Sequence, residues 1–196
     1  MAKGLHARSY AKINLYLDVL RQRADTFHDI ETIFQSVSLC DELAIEPADG
    51  GLSLTCTTPN LDCGATNLVL RAAIALRERT GCNDGARMVL TKRIPLAAGL
   101  AGGSGNGAAA LIALNDLWKI GLSETELVEI GLTLGSDVPY CLRGGTVAAT
   151  GRGEIMRPLE PLIDIWFVLV HPDMHVSTRE VYLSPRLRKN SETRVD

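Results

Sequence analysis

A glycine-rich segment in the middle of the chain has the residue types of a phosphate-binding loop. Residues 95–107 read Pro-Leu-Ala-Ala-Gly-Leu-Ala-Gly-Gly-Ser-Gly-Asn-Gly, between a predicted strand and an alanine-rich predicted helix. Glycine lets the backbone take positive φ and lets a ligand approach the main chain closely. The free N–H groups at the start of a helix suit a phosphate. A tight turn packed by glycine is the alternative, but five glycines between Gly99 and Gly107 exceed what a turn needs, so we favour an anion site.

Two other nucleotide-binding loops fit this segment less well. The Walker A loop needs Gly-Lys followed by Ser or Thr, and the sequence contains no such tripeptide, which excludes a P-loop. The dinucleotide pattern G-x-G-x-x-G belongs near the start of a strand–helix–strand unit, with an acidic residue ending the next strand. Here the loop lies in mid-chain and Gly99-Leu100-Ala101 breaks the pattern. A nicotinamide-dependent oxidoreductase is therefore a disfavoured alternative.

Asp137 and Lys12 are candidates for the chemistry that a bound phosphate invites. Asp137 lies in Gly-Ser-Asp-Val-Pro after a predicted helix, where most aspartates cap a helix or form a turn. Beside a nucleotide, its carboxylate would accept the proton of a hydroxyl that attacks a phosphoryl group, and a lysine would offset the developing charge. Lys12 shares the polar face of an alternating strand with Asn14, and we expect it to face outward. A solvated strand residue is its simpler interpretation, and the sequence slightly favours that.

The hydrophobic pattern predicts the elements that position these residues. Apolar residues at helical spacing predict helices at 66–80, with Thr66 as N-cap, and at 104–120. A capping box from Ser123 to Glu126 opens a third helix, which ends near Gly135. Period-two alternation and short apolar runs predict strands at 7–20, about 30–46, 52–56 and 87–94, a hairpin within 144–154 and a final buried strand at 164–170. Strands and helices mix without regular alternation, so we predict an α+β fold.

Composition and charge narrow the class of protein. The chain has 196 residues, with 46% hydrophobic and 22% charged, and a net charge of −3. These values exclude a disordered chain and give no general attraction to nucleic acid or an anionic membrane. Five cysteines without a C-x-x-C pair predict free thiols and no metal site. We expect a cytoplasmic protein, because the longest apolar run, 165–170, is too short to span a bilayer and no signal peptide is visible.

Four ordered groups of residues resemble the GHMP kinase superfamily. They are Ala-Lys-Ile-Asn-Leu at 11–15, Arg-Ala-Asp-Thr-Phe-His at 23–28, the segment 95–109 and Ser-Asp-Val-Pro at 136–139. Within the superfamily, the chain is similar to the branch that phosphorylates a cytidine-diphosphate methylerythritol, and the run 144–154 strengthens that narrower likeness. The resemblance extends from about residue 9 to residue 182, in order and with similar gaps.

The resemblance implies ATP-dependent phosphorylation of the 2-hydroxyl of that small-molecule substrate, in non-mevalonate isoprenoid synthesis, with ATP and Mg²⁺ as cofactors. It makes Asp137 the base and Lys12 its charged partner. The implied substrate-binding residues are Asn14, Phe27, His28, Asp137 and Tyr182, with the two aromatic rings of Phe27 and Tyr182 enclosing the cytosine and His28 bonding its edge. The implied nucleotide-binding residues are Pro95, Ala97, Ala98, Gly99, Leu100, Ala101, Gly102, Gly103, Ser104 and Asn106. No metal ligand is implied among the protein side chains.

The chain departs from the family's usual loop, Gly-Leu-Gly-Gly-Gly-Ser-Ser-Asn-Ala, at three positions. Ala101 replaces a glycine, Gly105 replaces the second serine and Gly107 replaces an alanine. Thr26 and Phe27 stand where Gly-Tyr is common. The added Cβ of residue 101 lies where the backbone should approach phosphate, so we expect these departures to affect nucleotide affinity more than reaction class.

The resemblance also implies two domains of the GHMP kinase fold. Residues 1–160 would form an N-terminal ATP-binding domain similar to domain 2 of ribosomal protein S5, and residues 161–196 would begin a second α+β, substrate-binding domain. A third glycine motif expected there is not found, so we expect the C-terminal portion to be truncated, with a poorly ordered polar tail from about residue 184. A weakly catalytic nucleotide- or metabolite-binding fragment and another small-molecule kinase of the superfamily remain alternatives. We expect no nucleic-acid or membrane partner, and a monomer or weak homodimer.

Overall fold

The strands form the framework of the molecule. The computed structural model describes residues 4–59, 61–172, 178–184 and 186–187, and within these ranges the strands make one six-stranded sheet. They are β1 (Leu5–Gln22), β2 (His28–Ala48), β3 (Leu52–Cys56), β4 (Gly85–Thr91), β5 (Thr146–Thr150) and β6 (Ile155–Pro158). The predicted strands at 7–20, 30–46, 52–56 and 87–94 are confirmed, with shifted ends. The predicted hairpin is present, but its return strand is β6, which lies beyond the predicted range of 144–154.

Helices account for most of the remaining regular structure. They are α1 (Leu68–Thr80), α2 (Gly102–Leu117), α3 (Glu124–Leu134), α4 (Val138–Arg143) and α5 (Thr178–Leu183), of which the last two were not predicted. The capping box from Ser123 to Glu126 is confirmed. The prediction of Thr66 as N-cap of α1 is wrong: the Asn67 side chain accepts a hydrogen bond from Val69 N at 3.0 Å. The Thr66 hydroxyl instead bonds to Asp62.

Strand β2 is the centre of the sheet and has two successive partners on one edge. Along its other edge it pairs antiparallel with β1 over almost its whole length. On the first edge, residues 32–35 pair with β5 and residues 42–48 pair with β4, both antiparallel. β3 extends the sheet parallel to β4, and β6 extends it antiparallel to β5. Residues 36–41 therefore mark the point where β2 changes partner.

Irregular register between β1 and β2 changes which side chains face inward. The pairing shifts between Tyr10 and Lys12, and again between Asn14 and Tyr16. A bulge re-aims the side chains that follow it. Lys12 is consequently only 6% exposed, whereas Leu15 and Leu17 on the predicted apolar face are exposed. The expectation that Lys12 faces outward is wrong.

The main core lies between the sheet and helices α1 to α4. Buried apolar residues of β2 and β4 pack there against those of the helices, including Leu43, Ile45, Met88, Leu90, Leu76, Leu111 and Leu114. A second, smaller cluster joins β2, α4 and β5 through Phe34, Tyr140, Val147 and Ala149. This second cluster lies directly beneath the candidate site, because Phe34 also contacts Lys12.

The segment after β6 differs from its prediction. Residues 164–170 form no strand and are exposed, with Trp166 at 94% and Val168 at 91%. An apolar run becomes a buried strand only when another strand pairs with it, and the described sheet ends at β6. Of the predicted tail from residue 184, only residues 184, 186 and 187 lie inside the described ranges. The described helices are all too short or too polar to cross a lipid bilayer.

Candidate active site

The loop between β4 and α2 is attached to the sheet at both ends. At its start, fully buried Asp41 accepts hydrogen bonds from Lys92 Nζ and from the two backbone N–H groups that follow Lys92, at 2.7 and 2.8 Å. Near its end, the Leu100 carbonyl accepts a hydrogen bond from Lys12 N at 3.1 Å. The loop therefore lies in the interval where β2 changes partner, against the strand that carries Lys12.

The backbone of this loop is bent by three residues with positive φ. They are Ala97 and Ala101 at 55° and Gly99 at 71°. Ala101 occupies the N-cap position of α2 and makes no side-chain capping bond. The first N–H groups of a helix have no intrahelical acceptor, so those of α2 are directed at the space in front of the loop.

A cavity of about 250 Å³ lies beside the start of α2. Leucine side chains line much of it, and its polar lining includes Asp62, Asn67, Lys92 and Asn106. Asn106 is 3% exposed, and its Oδ1 has no hydrogen-bond partner among the described residues. A buried amide oxygen without a partner is costly in a folded protein. The cavity therefore offers an unfilled polar contact next to the positive end of a helix, which fits a nucleotide.

Lys12 lies in a network that holds its ammonium group in one place. Nζ donates to Asn14 Oδ1 at 2.7 Å, lies 5.1 Å from the centre of the Phe34 ring and lies 4.0 Å from Asp137 Oδ2. The Asn14 amide is fixed in turn, because its Nδ2 donates to Thr32 Oγ1 at 2.7 Å. Thr32 Oγ1 donates to a backbone carbonyl of β1 at 2.6 Å.

Asp137 directly precedes α4, but its carboxylate makes no capping bond. The cap-or-turn interpretation of this residue therefore does not account for its side chain. The side chain is 36% exposed and faces the buried Lys12 ammonium, whose side chain is 8% exposed. A partly exposed carboxylate beside a buried cation can accept a proton from a hydroxyl that approaches from solvent.

An aromatic cluster lies next to this pair. The His28 and Tyr182 rings are 5.4 Å apart between centroids and tilted by 38°. Burial, together with the nearby Asp137 carboxylate, raises the pKa of the Tyr182 hydroxyl. Phe27 is 48% exposed, and the Arg152 guanidinium carbon lies 4.1 Å from its ring centre. The structure thus brings His28, Tyr182 and Asp137 together and places Phe27 against Arg152, which was not a predicted site residue.

Five residues at this site were not among the candidates. Ser136 accepts a hydrogen bond from Arg152 at 3.2 Å, and its position beside Asp137 was a usable signal. The Gly-Arg-Gly turn around Arg152 was a second usable signal in the sequence. Thr32, Asp41 and Lys92 carry no local signal, because their roles depend on partners between 16 and 53 positions away.

Burial keeps two further groups at the site neutral. It raises the pKa of the Tyr140 hydroxyl to about 12, although a hydrogen bond with Ser36 opposes the shift. It also raises the pKa of the Cys141 thiol to about 12; the nearby Asp137 carboxylate adds to this, and Lys12 opposes it. Neither group is available as a base near neutral pH.

The departures from the family's loop have local structural consequences. Thr26 and Ala101, which stand where the family has glycine, take φ of 70° and 55°. A Cβ costs about 1–2 kcal/mol in this left-handed region. At residue 105, where the family has a serine, a Cβ would lie 2.5 Å from Ser9 Oγ. The family's serine at that position would therefore collide with the Ser9 side chain, which is buried here without a hydrogen-bond partner.

The chemistry of other residue types is limited within the described ranges. No group of three His, Cys, Asp or Glu side chains there could hold a metal ion. The five cysteines Cys40, Cys56, Cys63, Cys82 and Cys141 are free thiols, as predicted. Any divalent cation at this site would be held largely by the phosphates of a nucleotide, because Asp137 is the acidic side chain beside Lys12.

Comparison with known proteins gives one consistent family. The family model described as GHMP kinases N terminal domain matches residues 67–145. A 4-diphosphocytidyl-2-C-methyl-D-erythritol kinase from Pelotomaculum thermopropionicum is 50% identical over 177 residues, which are 90% of this chain and 62% of that protein. The kinase of the same name from Caldanaerobacter subterraneus is 46% identical over 178 residues, 91% of this chain and 61% of that protein. The chain thus spans less than two thirds of the length of these relatives.

Solved structures agree with the sequence comparison. A crystal structure of 4-(cytidine 5'-diphospho)-2C-methyl-D-erythritol kinase superimposes with a TM-score of 0.76 at 36% identity, covering 93% of this chain and 65% of that one. A mevalonate kinase shares the fold alone, with a TM-score of 0.63 at 13% identity. The α+β prediction and the predicted GHMP kinase fold are confirmed, and the chain is similar to members of the GHMP kinase family.

Proposed function

We propose that this protein transfers the γ-phosphoryl group of ATP to the 2-hydroxyl of 4-diphosphocytidyl-2-C-methyl-D-erythritol. The observation that carries the proposal is the Lys12–Asp137 pair, 4.0 Å apart. Lys12 lies on β1 and its backbone N–H bonds to Leu100 of the glycine loop, and Asp137 directly precedes α4. This arrangement puts a carboxylate and a cation beside an anion-binding helix start. The names of the relatives support the choice of acceptor.

In this reaction Asp137 is the general base. Its Oδ2 takes the proton of the 2-hydroxyl while that oxygen forms a bond to the γ-phosphorus and the bond from the γ-phosphorus to the β–γ bridging oxygen breaks, releasing ADP. Lys12 lies where it offsets the negative charge that develops on the transferred group. Asn14 accepts a hydrogen bond from Lys12 Nζ and thereby keeps the ammonium directed at the reacting atoms.

The nucleotide occupies the loop and the cavity at the start of α2. Gly102, Gly103 and Ser104 begin the helix and present free N–H groups to phosphate oxygens. Pro95, Ala97, Ala98, Gly99, Leu100, Ala101 and Asn106 form the rest of this surface. The orphaned Asn106 Oδ1 and the open space over Gly99 fit a bound group there. Mg²⁺, when bound with the nucleotide, would further neutralise the charge of its phosphates.

The cytosine of the acceptor lies among the aromatic residues. Phe27 supplies an exposed face for stacking, and Tyr182, whose ring centroid lies 5.4 Å from that of His28, supplies the second ring. His28 is buried and directs a ring nitrogen to the polar edge of the base.

We also propose that the second domain begins near residue 161, since the sheet ends at Pro158 and the residues that follow it are exposed.

The decisive experiment is a coupled assay of the purified chain with ATP, Mg²⁺ and the cytidylyl substrate. We expect ADP and a singly phosphorylated product, identified by mass spectrometry. Asp137→Asn should lower kcat by about 10²–10⁴-fold with little change in either KM, because general bases contribute that much. Asp49→Asn, a change of the same kind at an exposed turn, should leave kcat unchanged.

Each other result has a defined meaning. Binding of ATP and substrate without turnover would reduce the chain to a nucleotide- and metabolite-binding unit. Turnover of homoserine or mevalonate in place of the cytidylyl compound would keep phosphoryl transfer and overturn the proposed acceptor. Full activity of Asp137→Asn would show that Asp137 is not the base. If Lys12→Met weakened cytidine binding and left kcat unchanged, Lys12 would have no role in phosphoryl transfer.

A further inference from the structure

The turn between β5 and β6 is held rigidly against the strand that lines the aromatic cluster. Gly151 and Gly153 take φ of 71° and 104°, conformations that glycine adopts readily. The Gly151 carbonyl accepts a hydrogen bond from Ile30 N at 2.7 Å, two residues after His28. A Cβ on Gly153 would lie 3.4 Å from the Phe34 ring, so the turn packs closely on β2. The backbone of Arg152, between the two glycines, is therefore held in a fixed position.

The Arg152 side chain joins two parts of the site that lie far apart in sequence. Its guanidinium carbon is 4.1 Å from the centre of the Phe27 ring, a cation–π distance. Its Nη2 donates to Ser136 Oγ at 3.2 Å, next to Asp137. One end of the site binds the base, in the proposed function, and the other accepts the hydroxyl proton. Arg152 lies between them.

The Arg152 guanidinium group contacts Ser136 and Phe27, and not a carboxylate of the described residues. Among the described residues it takes part in no salt bridge, whereas Arg21 and Arg23 on the adjacent hairpin both pair with Asp29. Glu154 is the nearest acid in sequence, and its carboxylate bonds to the backbone N–H of Arg152. The guanidinium group thus keeps donors free for an anion. A planar guanidinium binds phosphate oxygens in pairs.

We propose that Arg152 binds the diphosphate that links the cytidine and the polyol of the acceptor. The inference rests on the proposed function, because the acceptor then extends from the aromatic cluster to Asp137 and its connecting group is the diphosphate. Phe27 is 48% exposed, so its ring can hold the guanidinium on one face and the base on the other. Arg152 is in this sense a specificity residue: it favours a nucleoside diphosphate ester over an uncharged alcohol.

The test compares ligands that differ only in phosphate. Binding of cytidine and of CDP to the full chain is measured by calorimetry for the wild type, Arg152→Met and Arg157→Met. Methionine keeps an unbranched apolar stem and removes the charge, and Arg157 is an exposed arginine on β6 that serves as the matched control. We expect Arg152→Met to weaken CDP binding about 10- to 100-fold, the usual range for a charge-assisted contact. Cytidine binding and the Arg157→Met protein should be unaffected.

Kinetics supply the second readout. In Arg152→Met, KM for the cytidylyl substrate should rise by the same factor, while KM for ATP and kcat stay within about twofold, since a ground-state contact is lost. Arg152→Lys should recover part of the affinity for CDP, because it keeps the charge and loses the paired donors. Circular dichroism and the Tm of each variant establish that it is folded.

The remaining outcomes separate this inference from the proposed function. Equal loss of cytidine and CDP binding in Arg152→Met would mean that Arg152 only positions the Phe27 ring, and would overturn the diphosphate assignment. Wild-type affinity for CDP in the variant would overturn it as well, with the kinase proposal intact. Failure of the wild type to bind either ligand would refute the cytidylyl acceptor itself, and this inference with it.

Discussion

Thr26 carries backbone strain that one substitution removes. It lies in the turn between β1 and β2, where Arg23 N donates to the Phe27 carbonyl at 2.8 Å and closes the loop. Its φ is 70°, in the left-handed region, and Thr26 is β-branched and exposed. A β-branched residue with positive φ is an outlier. We predict that Thr26→Gly stabilises the protein.

The size of the effect follows from two opposing contributions. Removing Cβ at this φ gains about 1–2 kcal/mol in the folded state. Glycine also gives the unfolded chain more freedom, which costs about 0.4–1 kcal/mol. The free energy of unfolding should therefore rise by about 0.5–1 kcal/mol. For a chain of this length, that corresponds to an increase in Tm of about 1–4 °C.

Two further variants isolate the cause. Thr26→Ala keeps Cβ at the same φ, so its free energy of unfolding should stay within about 0.5 kcal/mol of the wild type. Gly121→Ala is the reverse experiment, because Gly121 has φ of 78° and a Cβ there would meet no atom within 4 Å. It should destabilise the protein by about 0.5–1 kcal/mol, through backbone strain alone.

The assay is urea unfolding at 25 °C, followed by far-UV circular dichroism, with Tm as a second measure. The reasoning is refuted if Thr26→Gly is less stable than Thr26→Ala, because the absence of Cβ would then bring no relief. A stabilising Gly121→Ala would refute it independently, since unfolded-state entropy would then outweigh the strain at positive φ.

Two other predictions concern buried groups near the site. Asp41→Asn should lower the free energy of unfolding by about 3–5 kcal/mol in urea, because Lys92 is then left as a buried charge without a counter-ion; recovery in Asp41→Asn/Lys92→Met is the control, and an unchanged midpoint would contradict it. Cys141 should react with iodoacetamide at pH 8 about 1,000-fold more slowly than a thiol of pKa 9, by peptide mass spectrometry. Because its pKa is raised in the folded protein, the Cys141 contribution to the free energy of unfolding is fully present below about pH 9 and is lost as the pH rises from 9 towards 12. Rapid labelling of Cys141 in the folded protein would refute the burial argument.

Local sequence signals predicted most elements of the fold. The Ser123–Glu126 capping box lies where the sequence predicts it, and Gly81 ends α1 in the left-handed conformation. These features depend on residues within one turn of each other, so a single sequence contains them. Pro139, in the first turn of α4, is a similar local signal for the start of a helix.

Features that depend on distant partners were not predictable in the same way. The inward orientation of Lys12 follows from a register shift relative to β2, and alternation along β1 cannot reveal it. Residues 164–170 have the composition of a strand, but composition does not supply a neighbour to pair with. Arg152 reaches Ser136 and Phe27 across 16 and 125 positions, and only the folded chain brings the three together.

Thr26 and Ala101 show why the family uses glycine at two positions where this chain does not. Thr26 directly precedes Phe27, and Ala101 directly precedes the first turn of α2, so each lies at the edge of one half of the site. Both segments keep the left-handed conformation because neighbouring backbone bonds impose it, from Arg23 to Phe27 in one case and from Lys12 to Leu100 in the other. In the proposed function these segments present a ring in one case and helix N–H groups in the other to a ligand, and the side chain at residue 26 or 101 adapts to the backbone shape at a cost in stability.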